Sequence, residues 1–265
     1  MQIVRVAAIL PARMASSRLP GKPLLHVHGL PMIEHVRRRA LLCRGFAEVV
    51  VATCDREIAE VVEQYGGRYL ITSPDHPVAT DRVAEAMRQI DCTHVVNVQG
   101  DEILVLPSDL ERFVDAITRQ PDIPAWNAVA RIEHVDELSD RAAVKCAVSH
   151  SGRVLFCSRD FSKLPVIRGT YEPIRRLLGI LGYRREFLER YGRMSRTPLE
   201  CAEAIDQSRI LEHDVTLQGV EFQKGYPGIN EPREVTMVET VLANDPLQQT
   251  VLQEILGSWP VRLST

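Results

Sequence analysis

The sequence predicts an α/β protein in which a doubly wound, mostly parallel sheet carries a smaller antiparallel extension. Short β-rich runs alternate with amphipathic helical segments through the first half of the chain, and this alternation is typical of βαβ units. From Val144 the alternation gives way to paired short strands, which indicates the antiparallel part. With 265 residues, 45% of them hydrophobic, the chain is long enough for one domain with a subsidiary lobe.

The parallel strands are predicted where β-branched and aliphatic residues cluster, at residues 3–10, 48–53, 68–72, 94–98 and 125–131. Between them, the helix starts are predicted from capping residues at Pro31, Asp55, Thr80 and Ser108, the last with Glu111 completing a capping box. The second of these helices is expected to stop at Gly66-Gly67. These segments are therefore crossover helices between parallel strands.

The antiparallel extension begins with a predicted hairpin. Residues 144–149 and 153–157 flank the turn residues His150-Ser151-Gly152. The stretch 160–173 is interrupted by prolines and a glycine, which predicts a long loop over a site. A helix is expected over residues 199–211.

Composition excludes several classes of function. The formal net charge is −3, and the lysines and arginines are scattered, so we expect no nucleic-acid partner. The apolar run 3–10 is too short to span a bilayer and lacks a signal-peptide cleavage site, so we expect no membrane attachment. Six widely spaced cysteines without a CxxC pair indicate reduced thiols. Together these features predict a cytoplasmic protein.

Three cations occupy the loop after the first predicted strand. Arg13, Arg18 and Lys22 would converge at the carboxyl end of that strand, where ligands of doubly wound sheets bind. The small residues 15–17 let backbone N–H groups approach phosphate oxygens. The alternative is that the three charges are simply solvated, and composition alone does not separate the two interpretations.

The order of residues in this loop favours the first interpretation. LPARMASSRLPGKPL at 10–24 resembles the IPAR…S.RLPGKPL signature of sugar-acid cytidylyltransferases, and of Kdo (3-deoxy-manno-octulosonate) cytidylyltransferases in particular. The resemblance implies a fold of the nucleotide-diphospho-sugar transferase type, CTP as substrate, Mg²⁺ as cofactor and a homodimer. It also implies nucleotide contacts from Pro11, Ala12 and Ser16, and it makes Arg13, Arg18 and Lys22 both nucleotide-binding and catalytic.

A second match follows the strand at 94–98. NVQGDE at 97–102 is similar to VNVQGDEP of the same family, although Ile103 replaces the proline. A carboxylate at this position can hold Mg²⁺ against a phosphate, so Asp101 is the predicted catalytic metal ligand and Gln99 a nucleotide contact. The alternative is that a lone Gly-Asp only caps a turn.

Two further segments complete the predicted nucleotide site. HPVATDR at 76–82 resembles the family's H.SGTERL, which lies beside cytosine and ribose, and this implies contacts from His76 and Thr80, with Ala79 replacing a glycine. GINEPRE at 228–234 stands where the family has GVDTPEDL, so Asn230 replaces the aspartate that supplies a second metal ligand. An amide oxygen can still coordinate Mg²⁺, but without the negative charge.

Four later segments match family segments in order, so the resemblance covers nearly the whole chain: AVK at 143–145, FCSR at 156–159, LGILGY at 178–183 and PLE at 198–200. The resemblance implies that Arg159 faces the sugar carboxylate and that Tyr183 lines the pocket. Glu200, Glu203 and Gln207 fall at helical spacing and could bind sugar hydroxyls, or could form a solvated acidic stripe. Leu177 and Leu181 replace a family histidine and tyrosine.

The expected reaction is attack of an acceptor hydroxyl on the α-phosphorus of CTP, giving a CMP-sugar acid and pyrophosphate. One alternative keeps this chemistry with an amino-Kdo, nonulosonate or phosphonate acceptor, because the two leucines remove hydrogen-bonding groups. A second alternative is a catalytically weak nucleotide-binding homologue, because Asn230 replaces a carboxylate.

The chain is predicted to form one domain with two parts. Residues 1–143 and 226–265 form the predicted nucleotide-binding core, and residues 144–225 form an acceptor-binding and dimerisation lobe.

Overall fold

The structure is a computed structural model that describes residues 3–16, 18–164 and 173–257. They group into two compact units, one of Met1–Val114 with Tyr226–Thr265 and the other of Asp115–Gly225. The chain thus divides at 114/115 rather than at 143/144. The reason is that the strand at 125–131 pairs with strands that follow it in the sequence, antiparallel with residues 174–184 and parallel with residues 217–221.

The elements up to residue 119 follow the predicted alternation, and they are β1 (Val6–Ala12), β2 (His26–Val27), β3 (Leu30–Pro31), α1 (Met32–Leu42), β4 (Glu48–Thr53), α2 (Arg56–Gln64), β5 (Arg68–Ile71), α3 (Ala79–Met87), β6 (His94–Val98) and α4 (Pro107–Arg119). The first unit arranges four parallel strands in the order β6-β1-β4-β5. β2 and β3 form a separate antiparallel ribbon. Four of the five predicted parallel strands are thus confirmed, whereas the fifth, at 125–131, lies in the second unit.

The central strand β1 differs from its prediction at both ends. It begins at Val6 rather than at residue 3, since Ile3 is 80% exposed and lies outside the sheet. It continues to Ala12, which pairs with Thr53 of β4. On its other side Ile9 pairs with Asn97 of β6. The carboxyl ends of β1 and β6 are therefore neighbours, and so are the loops that follow them.

Two predicted helix caps are wrong, each by two residues. α3 begins at Ala79 with Val78 at the N-cap, so Thr80 is buried in the first turn. α4 begins at Pro107, which places Ser108 inside the helix rather than before it. Asp55 does lie at the N-cap of α2, but its carboxylate accepts a hydrogen bond from the Met14 N–H at 2.7 Å. Capping preferences alone do not reveal such tertiary partners.

The second unit is mostly antiparallel and contains β7 (Ala125–Arg131), β8 (Lys145–Val148), β9 (Val154–Ser158), β10 (Ile174–Arg184), α5 (Arg185–Tyr191), α6 (Pro198–Glu203), α7 (Gln207–Glu212) and β11 (Leu217–Glu221). β10 pairs antiparallel with β7 and β8, and β11 runs parallel to β7. The predicted hairpin is confirmed as β8–β9, with Gly152 in its turn at φ 80°. Most of the predicted loop, residues 165–172, lies outside the described residues.

The single helix expected over 199–211 is two short helices. Ala204 ends α6 in the left-handed region, at φ 53° and ψ 49°, and α7 starts after it at Gln207. Glu200 and Glu203 therefore lie on a different helix from Gln207, and the predicted common face does not form.

Two cysteines of the β8–β9 hairpin face each other directly. Cys146 and Cys157 are opposite one another in the register, and both are buried. Burial raises the pKa of the Cys146 thiol to about 12 and raises that of Cys157 well above its usual range. All six cysteines of the chain are described, and none of them forms a disulfide bond.

The chain ends with α8 (Pro232–Asn244) and α9 (Pro246–Gly257), both in the first unit. They pack on an apolar cluster with residues from the loop after β6, among them Ile103, Leu104 and Leu106. Burying these side chains anchors that loop. In the described part of the chain, no helix combines the length and the apolar character that crossing a membrane requires.

Candidate active site

A cavity of about 280 Å³ opens in the first unit where β1 and β6 end, and it is lined by Pro11, Ala12, Arg13, Ser16, Arg18, Lys22, Pro23, His76, Val78, Ala79, Arg82, Gln99, Gly100, Asp101 and Asn230. The predicted nucleotide-binding and metal-binding residues are thus brought together, with the exception of Thr80. Thr80 is fully buried, although the neighbouring Val78 and Ala79 line the cavity.

The loop after β1 folds back on itself through its own backbone. The Met14 carbonyl oxygen accepts from the N–H groups of Ser16 at 2.8 Å and Gly21 at 3.1 Å. Gly21 has φ 72°, a conformation that glycine adopts without strain. This turn returns the chain to the cavity, so Arg13 and Lys22 line it from the two ends of one loop. Ser17 lies outside the described residues.

Lys22 is at the centre of the polar contacts in the cavity. Its Nζ lies 3.8 Å from Asp101 Oδ2 and 3.3 Å from Asn230 Oδ1. Arg18 Nη2 also reaches the Asn230 oxygen, at 3.4 Å, although the Arg18 side chain is 55% exposed. Arg13 adds a further cation to the lining. Asp101 is the one carboxylate among the described lining residues, so the three cations outnumber the negative charges, and this arrangement suits a polyphosphate.

The segment that carries Asn230 lies directly against the backbone of Asp101. The Ile229 N–H donates to the Asp101 carbonyl oxygen at 3.3 Å. A Cβ at position 228 would lie 2.8 Å from that same oxygen, so only glycine fits there without displacement. On the other side, the N–H groups of Asn230 and Glu231 donate to the Glu234 carboxylate, which forms a capping box on α8. Asn230 is therefore fixed relative to Asp101.

The oxygen ligands of the cavity fit a magnesium ion that binds together with a nucleotide. Among the described residues, no cluster of three or more His, Cys, Asp or Glu side chains could hold a metal alone. The cavity offers the Asp101 carboxylate and the Asn230 amide oxygen. Mg²⁺ commonly uses one or two protein oxygens and takes its other ligands from water and substrate phosphates.

One wall of the cavity is formed by groups that also stabilise the fold. His76 contacts the Glu85 carboxylate, which also accepts the Ser73 N–H at 3.0 Å. Partial burial opposes ionisation of Glu85, but these hydrogen bonds hold its pKa below the usual range. Next to this pair, Arg82 is buried and donates to Thr72 and, at 3.4 Å, to the Cys54 sulfur.

Comparison with known proteins agrees with this geometry. A family model described as cytidylyltransferase matches residues 7–218. The 3-deoxy-manno-octulosonate cytidylyltransferase of Myxococcus xanthus strain DK1622 is 39% identical, over 91% of this chain and 98% of its own length. The 8-amino-3,8-dideoxy-manno-octulosonate cytidylyltransferase of Shewanella sediminis strain HAW-EB3 is 34% identical, over 91% of this chain and all of its own.

A solved structure of CMP:2-keto-3-deoxy-manno-octonic acid synthetase complexed with CTP superposes with a TM-score of 0.84 at 33% identity, covering 91% of this chain and 99% of the other. The chain belongs to the cytidylyltransferase family. The family and the fold class predicted from the sequence are thereby confirmed. The roles of individual site residues in this cytidylyltransferase remain predictions that rest on the geometry.

The residues predicted to bind the acceptor all lie in the second unit of the cytidylyltransferase. The Arg159 guanidinium donates to main-chain carbonyl oxygens, at 2.8 Å to Glu203, 2.9 Å to Arg141 and 3.3 Å to Ala204. The Glu203 carboxylate accepts the N–H of Arg159 at 3.1 Å. Arg159 therefore joins α6 to the loop at 141–142, and binding a sugar carboxylate would require it to exchange these partners.

The other predicted acceptor residues also have partners within the second unit. Glu200 is buried and pairs with Arg209 and Arg196. Gln207 donates to Asn127 Oδ1 at 3.0 Å, and Tyr183 packs in an aromatic cluster with Phe187 and Tyr191. Leu177 and Leu181 are core residues of β10. The hydrogen bonds and ring contacts of Glu200, Gln207 and Tyr183 are thus made within the second unit of the cytidylyltransferase.

Two residues of structural importance lie in matched segments but are not among the predicted site residues. Arg82 lines the cavity, and its only sequence signal is its place at the end of the segment 76–82. Lys145 is buried, and its Nζ donates to the carbonyl oxygens of Asp140, Ala143 and Arg159 at 2.6, 2.9 and 2.6 Å. Such a lysine holds a loop through main-chain acceptors, and a motif does not indicate that role.

Proposed function

We propose that this chain transfers CMP from CTP to a 3-deoxy-octulosonate sugar acid and releases pyrophosphate. The observation that carries the proposal is the convergence of Arg13, Arg18 and Lys22 around Asp101 and Asn230 at the ends of two parallel strands. Relatives whose names state this activity support the nucleotide and the class of acceptor.

The chemistry needs positioning and charge neutralisation more than a covalent role for the protein. An acceptor hydroxyl oxygen loses its proton to water and forms a bond to the α-phosphorus of CTP, while the bond from that phosphorus to the bridging oxygen of pyrophosphate breaks. Negative charge builds on the leaving group, where Arg13, Arg18 and Lys22 would neutralise it. Lys22 would exchange its present contacts with Asp101 and Asn230 for phosphate oxygens.

Asp101 and Asn230 would hold Mg²⁺, which supplies charge neutralisation at the phosphates and lowers the pKa of a bound hydroxyl. The remaining cavity residues would orient the nucleoside. His76, held by Glu85, also lines the cavity, together with Pro11 and Ala12. These groups would fix the base and ribose, so that the α-phosphorus faces the acceptor.

The 8-amino-3,8-dideoxy acid is a second candidate acceptor, because relatives of that name are 34% identical over the same part of the chain. The test is pyrophosphate release from CTP and Mg²⁺ with Kdo, its 8-amino analogue, a nonulosonate or a phosphonate acid. UTP in place of CTP is the control for the base. Release with none of the acids would sink the proposal and favour a catalytically silent homologue.

We further propose a cytoplasmic homodimer. The free thiols support a reducing compartment. Leu155 and Phe156 are 49% and 43% exposed on β9, whose one partner among the described strands is β8, and apolar residues on a strand edge suit self-association. Light scattering that shows only a 29.8 kDa species would reject the dimer.

A further inference from the structure

The first turn of α9 contacts both loops that carry the candidate metal ligands. One loop follows β6 and contains Asp101, and the other precedes α8 and contains Asn230. Gln248 of α9 is fully buried and donates from Nε2 to the Leu104 carbonyl oxygen at 2.7 Å. Leu104 lies three residues after Asp101, so this bond fixes the far end of the first loop.

The second loop is tied to the same turn through a tyrosine. The Tyr226 hydroxyl donates to Asp245 Oδ2 at 2.9 Å. Asp245 Oδ1 in turn accepts the N–H groups of Leu247 at 3.0 Å and Gln248 at 3.2 Å, which caps α9. One continuous network therefore runs from Leu104 through Gln248 and Asp245 to Tyr226.

The chemistry of this network favours a fixed geometry. Burial, together with the hydrogen bond to Asp245, raises the pKa of Tyr226 to about 12, so the hydroxyl remains a donor. Leu104, Tyr226 and Ile229 also share one apolar cluster. Buried polar groups that are hydrogen-bonded specify one arrangement, because breaking any of their bonds leaves a desolvated partner.

We propose that Tyr226 and Gln248 are positioning residues, which set the placement of Asp101 relative to Asn230 and thereby the magnesium-dependent part of CTP binding. The inference rests on the proposed function for the identity of the nucleotide. Neither side chain lines the cavity, so each acts through the loop to which it is bonded. Outer groups that orient metal ligands commonly contribute about 10-fold or more to metal affinity.

The test compares Tyr226→Phe and Gln248→Met with Thr93→Val. Thr93 precedes β6, at the end of the strand away from Asp101, and its hydroxyl bonds to the Arg5 backbone. The matched control thus removes a comparable hydrogen bond without touching either loop. Calorimetric titration of CTP is performed with Mg²⁺ and again in a chelator, and the magnesium concentration for half-maximal turnover is measured in parallel.

We expect the first two variants to lose about 10-fold in CTP affinity with Mg²⁺, and less than about twofold in the chelator. Thr93→Val should change neither value. Equal losses with and without Mg²⁺, or the same loss in Thr93→Val, would overturn the inference. If Gln248→Met does not fold, the CTP affinities of Tyr226→Phe alone test the inference, since that variant removes only the hydroxyl group and keeps the aromatic ring.

The two proposals can fail separately. A native protein that binds CTP in a magnesium-linked manner but releases no pyrophosphate with any acid contradicts the proposed function only. A native protein that turns over CTP, with a magnesium dependence that Tyr226→Phe leaves unchanged, contradicts the positioning role only.

Discussion

The Asn230 amide oxygen accepts a hydrogen bond from the Lys22 ammonium group at 3.3 Å, and Lys22 also lies 3.8 Å from the Asp101 carboxylate. The Lys22 ammonium group therefore contacts both oxygen ligands that fit a magnesium ion, one from Asp101 and one from Asn230. Because residue 230 is neutral, Lys22 is paired with one carboxylate rather than two. This leaves the lysine freer to move to a phosphate, but it weakens the attraction of the site for a divalent cation.

Asn230→Asp should lower the magnesium concentration required for half-maximal pyrophosphate release by about fivefold, because it adds a negative charge beside Asp101. Asn244→Asp is the matched control, since Asn244 is exposed near the end of α8 and the charge change is the same. An unchanged magnesium dependence in Asn230→Asp would contradict the role of position 230 in metal binding.

Gly228→Ala should destabilise the protein by about 1–3 kcal/mol and reduce CTP turnover, because the new Cβ would lie 2.8 Å from the Asp101 carbonyl oxygen. Urea unfolding and pyrophosphate release measure the two effects. Gly192→Ala serves as the control, as a Cβ there meets no atom within 4 Å and the backbone is helical. Full stability and activity in Gly228→Ala would show that the segment at 228–230 does not depend on this close approach.

Lys22→Met should reduce kcat by on the order of 10²-fold, because the variant removes a cation from the place where charge develops on the leaving pyrophosphate. The side chain of Lys22 is 16% exposed, so methionine can occupy its volume without a large change in packing. Steady-state kinetics with CTP provide the measurement, and Lys224→Met changes an exposed lysine outside the cavity. A loss confined to KM would place Lys22 in ground-state binding instead.

His35 should make the protein less stable in mild acid. Burial, helped by the nearby charge of Arg39, lowers its pKa from 6.5 to about 4, while its Nε2 contacts the Val27 carbonyl oxygen at 2.7 Å. Between these two pH values the unfolded chain binds a proton that the folded chain does not, so stability falls as the pH drops from 6.5 to 4. The full loss is on the order of 3 kcal/mol.

Urea unfolding at a series of pH values checks this prediction. His35→Gln should lose this part of the pH dependence, whereas His150→Gln, which changes an exposed histidine, should keep it. If His35→Gln and the native protein lose stability in parallel between pH 6.5 and 4, His35 is not the responsible group.

Much of the nucleotide site could be predicted from the sequence, because it is built from continuous segments that end parallel strands. Arg13 to Lys22 and Asp101 follow β1 and β6, and strand pairing alone brings them together. Thr80 is not the N-cap that its residue type predicts. The preference of threonine for N-caps reflects only the local sequence, whereas in the structure Thr80 is buried inside the first turn of α3. Local preferences give elements more reliably than their ends.

The sequence could not show contacts between residues that are distant in the chain. The Arg159 guanidinium meets carbonyl oxygens of 141 and 203, and a motif contains no information about such main-chain acceptors. In the same way, Tyr226 and Gln248 belong to no recognised segment, and only the fold places them behind Asp101 and Asn230. These positions depend on packing, which periodicity does not encode.

The reactivity of the opposed Cys146 and Cys157 reports on opening of the β8–β9 hairpin. Their burial and raised pKa values keep both thiols protonated and out of reach of alkylating reagents while the hairpin is closed. Modification can proceed only when the strands separate, so its rate measures how often this edge of the second unit opens. Exposed Cys201 reacts without such an opening and supplies the internal reference for the same reagent.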